Sequence, residues 1–158
     1  MSYRPGYDHL PRDNWVDPTP PPAHIQDVPN VGATSAILTS AAFALGAHCG
    51  EYNEDFMLCK RDSANPAHCL KEGARVTRCS IDLLTQLRAN CLKELSSHWN
   101  CLELNNHEFQ YCRKQERPLN QCIFSKFGYT KTIPGAAKNA TPVHELKKPY
   151  FGNTPNTF

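Results

Sequence analysis

The chain has little that would let it cross a membrane, bind nucleic acid or bury a large core. Its longest uncharged run, residues 31–47, would reach only about 25 Å as a helix, which is shorter than a bilayer's hydrocarbon core of about 30 Å. A formal charge of +2 over 158 residues gives no basic surface for a nucleic acid. We therefore expect no transmembrane helix, no nucleic-acid partner, and a small-residue helix at 31–48 packed against protein.

Proline is scarce in the middle of the sequence and concentrated near its ends. Seven of the 13 prolines precede residue 30 and four follow residue 130. Such segments favour extended structure, so we expect irregular tails at 1–30 and 128–158, the second unstructured unless a partner holds it. The first thirty residues also lack an apolar signal-peptide core, and acidic residues interrupt them. We expect neither a secretory signal nor an Arg-rich matrix presequence there.

Closely spaced cysteines are absent, although the chain contains eight cysteines. They recur at almost even intervals, and we call the series the disulfide ladder. Its members are Cys49, Cys59, Cys69, Cys79, Cys91, Cys101, Cys112 and Cys122. Structural zinc sites usually pair ligands two to four residues apart, whereas the shortest cysteine gap here is nine residues. His48 and His68 each precede a cysteine, but on a helix such a histidine points away from its neighbour. We therefore expect disulfides, no metal and no catalytic thiol.

Helical spacing surrounds these cysteines. Asn65-Pro66 is a strong helix start, and apolar residues then recur at helical spacing to Leu92, which predicts a long helix joining the two cysteine quartets. Cys49 either lies between two helices or belongs to one straight helix with Cys59, and the sequence leaves both open. Pro118 predicts a break or kink near Arg117, with Pro118 opening a shorter helix, because proline inside a helix removes a hydrogen bond.

Two cysteines ten positions apart on one helix are about 15 Å apart and cannot pair with each other. If two such segments fold back antiparallel, the outer cysteines meet and the inner cysteines meet. The expected bridges are then Cys49–Cys79, Cys59–Cys69, Cys91–Cys122 and Cys101–Cys112. The predicted fold is all-α, with hairpins at 49–80 and 91–127 joined by a helical connection at 81–90.

Paired C-x9-C segments resemble the coiled-coil-helix–coiled-coil-helix (CHCH) family of the mitochondrial intermembrane space, in its double version. The stretches Phe56-Met57-Leu58-Cys59 and Cys112-Arg113-Lys114-Gln115 resemble the family of the 19-kDa accessory subunit of NADH:ubiquinone oxidoreductase, respiratory complex I. This resemblance implies a non-catalytic subunit without cofactors, peripheral to the inner membrane on the intermembrane-space side. It also implies other complex I subunits as partners and oxidation by the disulfide relay of that compartment, for which Phe56 and Tyr52 would suit Cys59.

An alternative is an assembly factor or copper-handling twin-C-x9-C protein of the same compartment. Such proteins bind Cu(I) through adjacent or nearly adjacent thiols, which this chain lacks. No nucleophile–base or phosphate-loop pattern predicts an enzyme. Aromatic residues without a core of their own are candidate anchors to partner proteins. They are Tyr3, Tyr7, Trp15, Tyr150, Phe151 and Phe158.

Overall fold

Helices form the body of the chain in a computed structural model, which describes residues 22–25, 27–133, 135–137 and 139–146. The four α-helices are α1 (Ser35–His48), α2 (Gly50–Asp62), α3 (Leu70–Leu104) and α4 (Arg113–Phe127). Short 3-10 turns at Pro66–Cys69 and Phe109–Cys112 precede α3 and α4. None of the residues in these ranges lies in a β-strand. The predicted all-α fold with two stapled hairpins is confirmed.

The first helix, α1, packs on the long helix α3 through small side chains. Ala41 and Ala44 are fully buried and share one core with Leu83, Leu84 and Leu87 of α3. Small side chains let two helix axes approach closely, which explains why this uncharged segment is rich in alanine. It packs on protein, as expected. Within the described part of the chain, no helix combines the length and apolar character that a membrane crossing requires.

The first hairpin consists of α2 and the beginning of α3. The second arm of this hairpin begins at Asn65. The side-chain oxygen of Asn65 accepts a hydrogen bond of 3.0 Å from the backbone N–H of Ala67. This cap, followed by Pro66, lies where the sequence predicts the helix start. It opens the 3-10 turn at Pro66–Cys69, however, and α3 itself begins at Leu70. At Cys49 the backbone leaves the helical region (φ −104°, ψ 18°). Cys49 therefore separates α1 from α2, which decides between the two alternatives.

The long helix α3 joins the hairpins, as predicted, and runs for 35 residues. It bends once, at Cys91, where φ is −133° and ψ is 31°. After Leu104 the chain turns through Asn106 and His107, both of which have positive φ. The second hairpin is thus formed by the last part of α3 and by α4. The exact boundaries proposed for the hairpins and their connection remain predictions.

A break near Arg117, with Pro118 opening a shorter helix, is wrong, because α4 continues through Pro118 without interruption. The alternative of a kink at this position remains a prediction. The chain breaks earlier, at Cys112 (φ −108°, ψ 15°), so that Pro118 is an internal residue of α4. Pro118 has no backbone N–H and therefore removes one hydrogen bond from the helix. The residue is exposed, so it lies on the solvent side of α4. Burial of Leu119 and Ile123 immediately after it holds the helix against the core.

The C-terminal segment also differs from the prediction. The described part, residues 128–133, 135–137 and 139–146, is irregular as expected, but it packs on its own chain. The Tyr129 hydroxyl lies 2.6 Å from His48 Nδ1, and Arg117 donates to the carbonyl of Leu146. His144 is only 4 % exposed. Polar contacts to residues far away in the sequence hold this segment on the helices. The sequence of the segment itself does not predict these contacts.

Candidate functional site: the disulfide ladder and the buried charge cluster

All eight cysteines lie within the described residues, and the structure joins them in four bridges. The pairs are Cys49–Cys79, Cys59–Cys69, Cys91–Cys122 and Cys101–Cys112. Their Cα atoms are 5.8–6.0 Å apart, which is the usual separation across a disulfide. These are the nested pairs expected from antiparallel hairpins. The two outer bridges and the two inner bridges together hold α2, α3 and α4 in fixed register.

A common geometry recurs at the first cysteine of every C-x9-C segment. Cys49, Cys69, Cys91 and Cys112 all lie at helix junctions, with φ between −133° and −104° and ψ between 15° and 31°. Each is at most 1 % exposed. The second cysteine of each segment lies inside the helix that follows. A C-x9-C segment is therefore one repeated unit, a buried junction followed by a helix, and cysteine spacing alone does not reveal the junction.

The histidine next to the first cysteine does not point away from it, contrary to our expectation. A ring nitrogen of His48 and the sulfur atoms of Cys49 and Cys79 all lie within 4.8 Å of one another. The expectation assumed a continuous helix, whereas the backbone at Cys49 is not helical. Since the thiolate is the form of cysteine that binds metals, the bridged sulfur atoms are not available as ligands.

The second hairpin contains a buried carboxylate. Glu116 on α4 is 1 % exposed, and its two oxygens contact Arg113 Nη1 at 2.5 Å and Lys131 Nζ at 2.6 Å. Burial alone would raise the pKa of Glu116, but hydrogen bonds and charge from Lys131 and Arg113 outweigh burial and leave the pKa below its usual value. Glu116 is thus ionised at neutral pH and joins α4 to the C-terminal segment.

Next to this carboxylate, a histidine joins α1 to α3. His98 is fully buried, and its Nδ1 lies 2.7 Å from the hydroxyl of Ser40. Burial lowers the pKa of His98 to about 4, so the imidazole is neutral at pH 7. A serine and a histidine at this distance also occur in catalytic sites, but Ser40 is only 6 % exposed. The geometry supports a hydrogen bond between two helices.

The C-terminal segment supplies the other half of this buried charge cluster, which we define as His98, Arg113, Glu116, Lys131 and His144. The ammonium of Lys131 lies 5.4 Å from the centre of the Phe43 ring and 5.9 Å from that of Phe109, both within cation–π range. Burial first, and the charge of Lys131 second, lower the pKa of His144. Sequence reasoning missed this cluster, because its members are dispersed over 47 positions and show no common spacing.

The two aromatic residues near Cys59 have different surroundings. Phe56 is half-buried, and its ring packs so closely on α3 that a Cβ atom at Gly73 would lie 3.3 Å from it. Tyr52 is 43 % exposed, and Met57 and Leu58 farther along α2 are 66 % and 48 % exposed. The six candidate anchors in the tails lie outside the described residues. They are Tyr3, Tyr7, Trp15, Tyr150, Phe151 and Phe158.

The sequence is similar to subunits of a respiratory enzyme. It is 44 % identical over 141 residues to the NADH-ubiquinone oxidoreductase 20.8 kDa subunit of Neurospora crassa, which covers 88 % of this chain and 77 % of the relative. The chain belongs to the family of this subunit. Two Arabidopsis thaliana relatives in this family are NADH dehydrogenase [ubiquinone] 1 alpha subcomplex subunits 8-A and 8-B. They are 38 % and 40 % identical over 88 residues, or 56 % of this chain and 82 % and 83 % of the relatives. No protein-family model matches the sequence.

Proposed function

We propose that this chain is a non-catalytic accessory subunit of mitochondrial respiratory complex I that braces neighbouring subunits. The observation that carries this proposal is the 44 % identity, over most of both chains, to a protein named as a subunit of NADH-ubiquinone oxidoreductase. The narrower assignment to the 19-kDa subunit, which the residues around Cys59 and Cys112 suggest, belongs to the same proposal. The partners are then other subunits of the complex.

The geometry of the described residues supports a structural role. Four bridges fix three helices, and the buried carboxylate of Glu116 is paired with the partly buried cations of Arg113 and Lys131. Ser40 and His98 bond to each other in the interior. A rigid body of this kind loses little conformational entropy on docking, which favours a permanent contact. The tails, with their six candidate anchors, would then extend over neighbouring subunits and place these aromatic residues in partner grooves.

The proposed location is the intermembrane-space side of the inner membrane, where the chain is peripheral. Disulfides persist in oxidising compartments, and four bridges in one small chain support such a compartment. The disulfide relay of the intermembrane space would close the bridges after import. Cys59, with Phe56 and the exposed Tyr52 on the same helix, is the proposed first contact with this relay.

Replacement of the Neurospora subunit tests the proposal. A Neurospora crassa strain that lacks its 20.8 kDa subunit would express this chain, with a mitochondrial protein of the matrix as an unrelated control. Because 44 % of aligned residues are identical, we expect the chain to migrate with complex I on a native gel and to restore assembled complex. Protease treatment of mitochondria with ruptured outer membranes should then degrade the chain, as its location predicts.

Two results would contradict this proposal. One is a chain that reaches mitochondria and forms its bridges but migrates only as a free monomer. The other is a chain that resists protease until the inner membrane is opened, which would place it in the matrix. A variant lacking residues 1–21 separates the role of the tail from that of the body, since it leaves every described residue in place.

A further inference from the structure

A nitrogen and two sulfur atoms meet where α1 gives way to α2, apart from the buried charge cluster. A ring nitrogen of His48 and the sulfur atoms of Cys49 and Cys79 lie within 4.8 Å of one another. Cys49 is 1 % and Cys79 is 8 % exposed, while His48 is half-buried. One imidazole and two thiolates are a ligand set that Zn²⁺ prefers. With the bridge closed, however, the two sulfur atoms are bonded to each other.

We propose that His48, Cys49 and Cys79 form a zinc site when the Cys49–Cys79 bridge is open, and that closing the bridge expels the ion. A dithiol reductant opens the bridge by supplying two electrons and two protons and itself becomes a disulfide. Zn²⁺ then displaces the two thiol protons and binds both thiolates. When a disulfide oxidant takes two electrons from these thiolates, the bridge forms again and Zn²⁺ is released. The proposal is independent of the role in complex I.

The backbone already has the spacing that this site requires. Tetrahedral zinc with Zn–S bonds of about 2.3 Å holds its two sulfur atoms about 3.8 Å apart. In the closed bridge they are 1.99 Å apart, and the Cα atoms of Cys49 and Cys79 are 6.0 Å apart. Rotation about the two Cα–Cβ bonds is enough to separate the sulfur atoms, so that neither helix has to move.

The orientation of His48 also suits a ligand. Its Nδ1 lies 2.6 Å from the Tyr129 hydroxyl, so Nε2 is the ring nitrogen that takes no part in this hydrogen bond. Histidine ligands commonly donate their second N–H to an oxygen atom that fixes the ring, and Tyr129 is placed to accept it. The contact comes from the C-terminal segment, 81 positions away in the sequence.

The cleft around these atoms has room for a fourth ligand and a defined charge. Asp82 lines the same cleft as His48 and Cys79, and a water molecule can complete the tetrahedron, as in other zinc sites with three protein ligands. Arg75 and Arg78 line it as well. Two thiolates and Asp82 still outnumber them, which leaves the cleft attractive to a divalent cation.

Alkylation of individual cysteines tests the site in the full-length chain. The chain is reduced with a dithiol, freed of reductant without oxygen, and given one equivalent of Zn²⁺. Reaction of each cysteine with N-ethylmaleimide is then followed by mass spectrometry. We expect zinc to slow alkylation of Cys49 and Cys79 far more than that of the other six. His48→Ala should weaken this protection by about tenfold or more, since even an outer contact to a ligand is worth 10–100-fold in affinity.

The matched control is His68→Ala, because His68 also precedes a cysteine but is exposed to solvent. This variant should retain full protection of Cys49 and Cys79. Circular dichroism of the same samples should show that zinc restores helix content lost on reduction. Protection spread evenly over all eight cysteines, protection that survives His48→Ala, or a zinc-treated chain that stays unfolded would each overturn the proposal.

Discussion

The buried carboxylate of Glu116 allows a prediction whose size follows from the structure. At an effective dielectric constant of about 20, two unit charges about 4 Å apart attract by about 4 kcal/mol. Glu116 has two such partners, Arg113 and Lys131, and dehydration of the carboxylate offsets several kcal/mol of this attraction. Glu116→Gln keeps the shape and removes the charge. We expect it to lower the free energy of unfolding by about 3 kcal/mol at pH 7.

The dependence of this loss on pH makes the prediction specific. The folded-state pKa of Glu116 is lowered, so its charge stabilises the fold above the unfolded-state pKa near 4.5. That contribution disappears as the pH falls through the folded-state pKa. The difference between wild type and Glu116→Gln should therefore shrink on going from pH 7 to pH 3. His98, whose pKa is lowered from 6.5 to about 4, destabilises both proteins in acid. Since the Glu116 charge raises the pKa of His98, this effect is larger in the Glu116→Gln variant, and the comparison is read between pH 7 and the acid range as a whole.

Urea unfolding followed by circular dichroism, with all bridges intact, measures the difference. Glu103→Gln is the matched control, because Glu103 is exposed on α3 and its substitution should change stability by less than about 0.5 kcal/mol. A loss below about 1 kcal/mol for Glu116→Gln at pH 7 would contradict our reasoning. A loss that stays the same at pH 3 would contradict it equally, since pH 3 lies below the unfolded-state pKa of Glu116 and the stabilisation by its charge must already have decreased there.

Three further predictions concern the bridges, the core and the tail. Cys59→Ala with Cys69→Ala removes a bridge across 10 positions, which should cost about 3 kcal/mol in urea unfolding and reduce retention in mitochondria; unchanged accumulation would contradict it. Leu87→Ala, at a fully buried position, should cost 2–5 kcal/mol, whereas Leu104→Ala, at 85 % exposure, should cost less than about 0.5 kcal/mol; equal costs would refute the proposed core. Deleting residues 1–30 should leave the helix content unchanged and weaken association with complex I on native gels, and undiminished association would exclude the tail as an anchor.

The parts of the fold that depend on local sequence were predictable. Asn65-Pro66 gives a cap and a first turn whatever the rest of the chain does, and the structure shows that cap. The uncharged residues 31–47 indicate a helix packed on protein, and α1 is that helix. The all-α class follows from the spacing of apolar residues and cysteines.

The parts that depend on contacts between distant residues were not predictable. Lys131 and His144 lie in a segment that contains Gly128, Pro134 and Pro142 and that suggested a free tail, yet Lys131 contacts Glu116 15 positions earlier. The chain breaks at Cys112 and not near Pro118, and Cys112 is a fully buried member of a bridge. Ser40 and His98 are 58 positions apart and belong to no motif. Only the folded chain brings these groups together.

Non-reducing peptide mapping of the chain recovered from the native-gel band of complex I tests the central claim most directly. If the chain is a disulfide-stapled brace, we expect the band to contain it with four disulfide bridges and no others. They are Cys49–Cys79, Cys59–Cys69, Cys91–Cys122 and Cys101–Cys112. Free thiols or other links in the complex-bound chain, or absence of the chain from that band, would contradict the account.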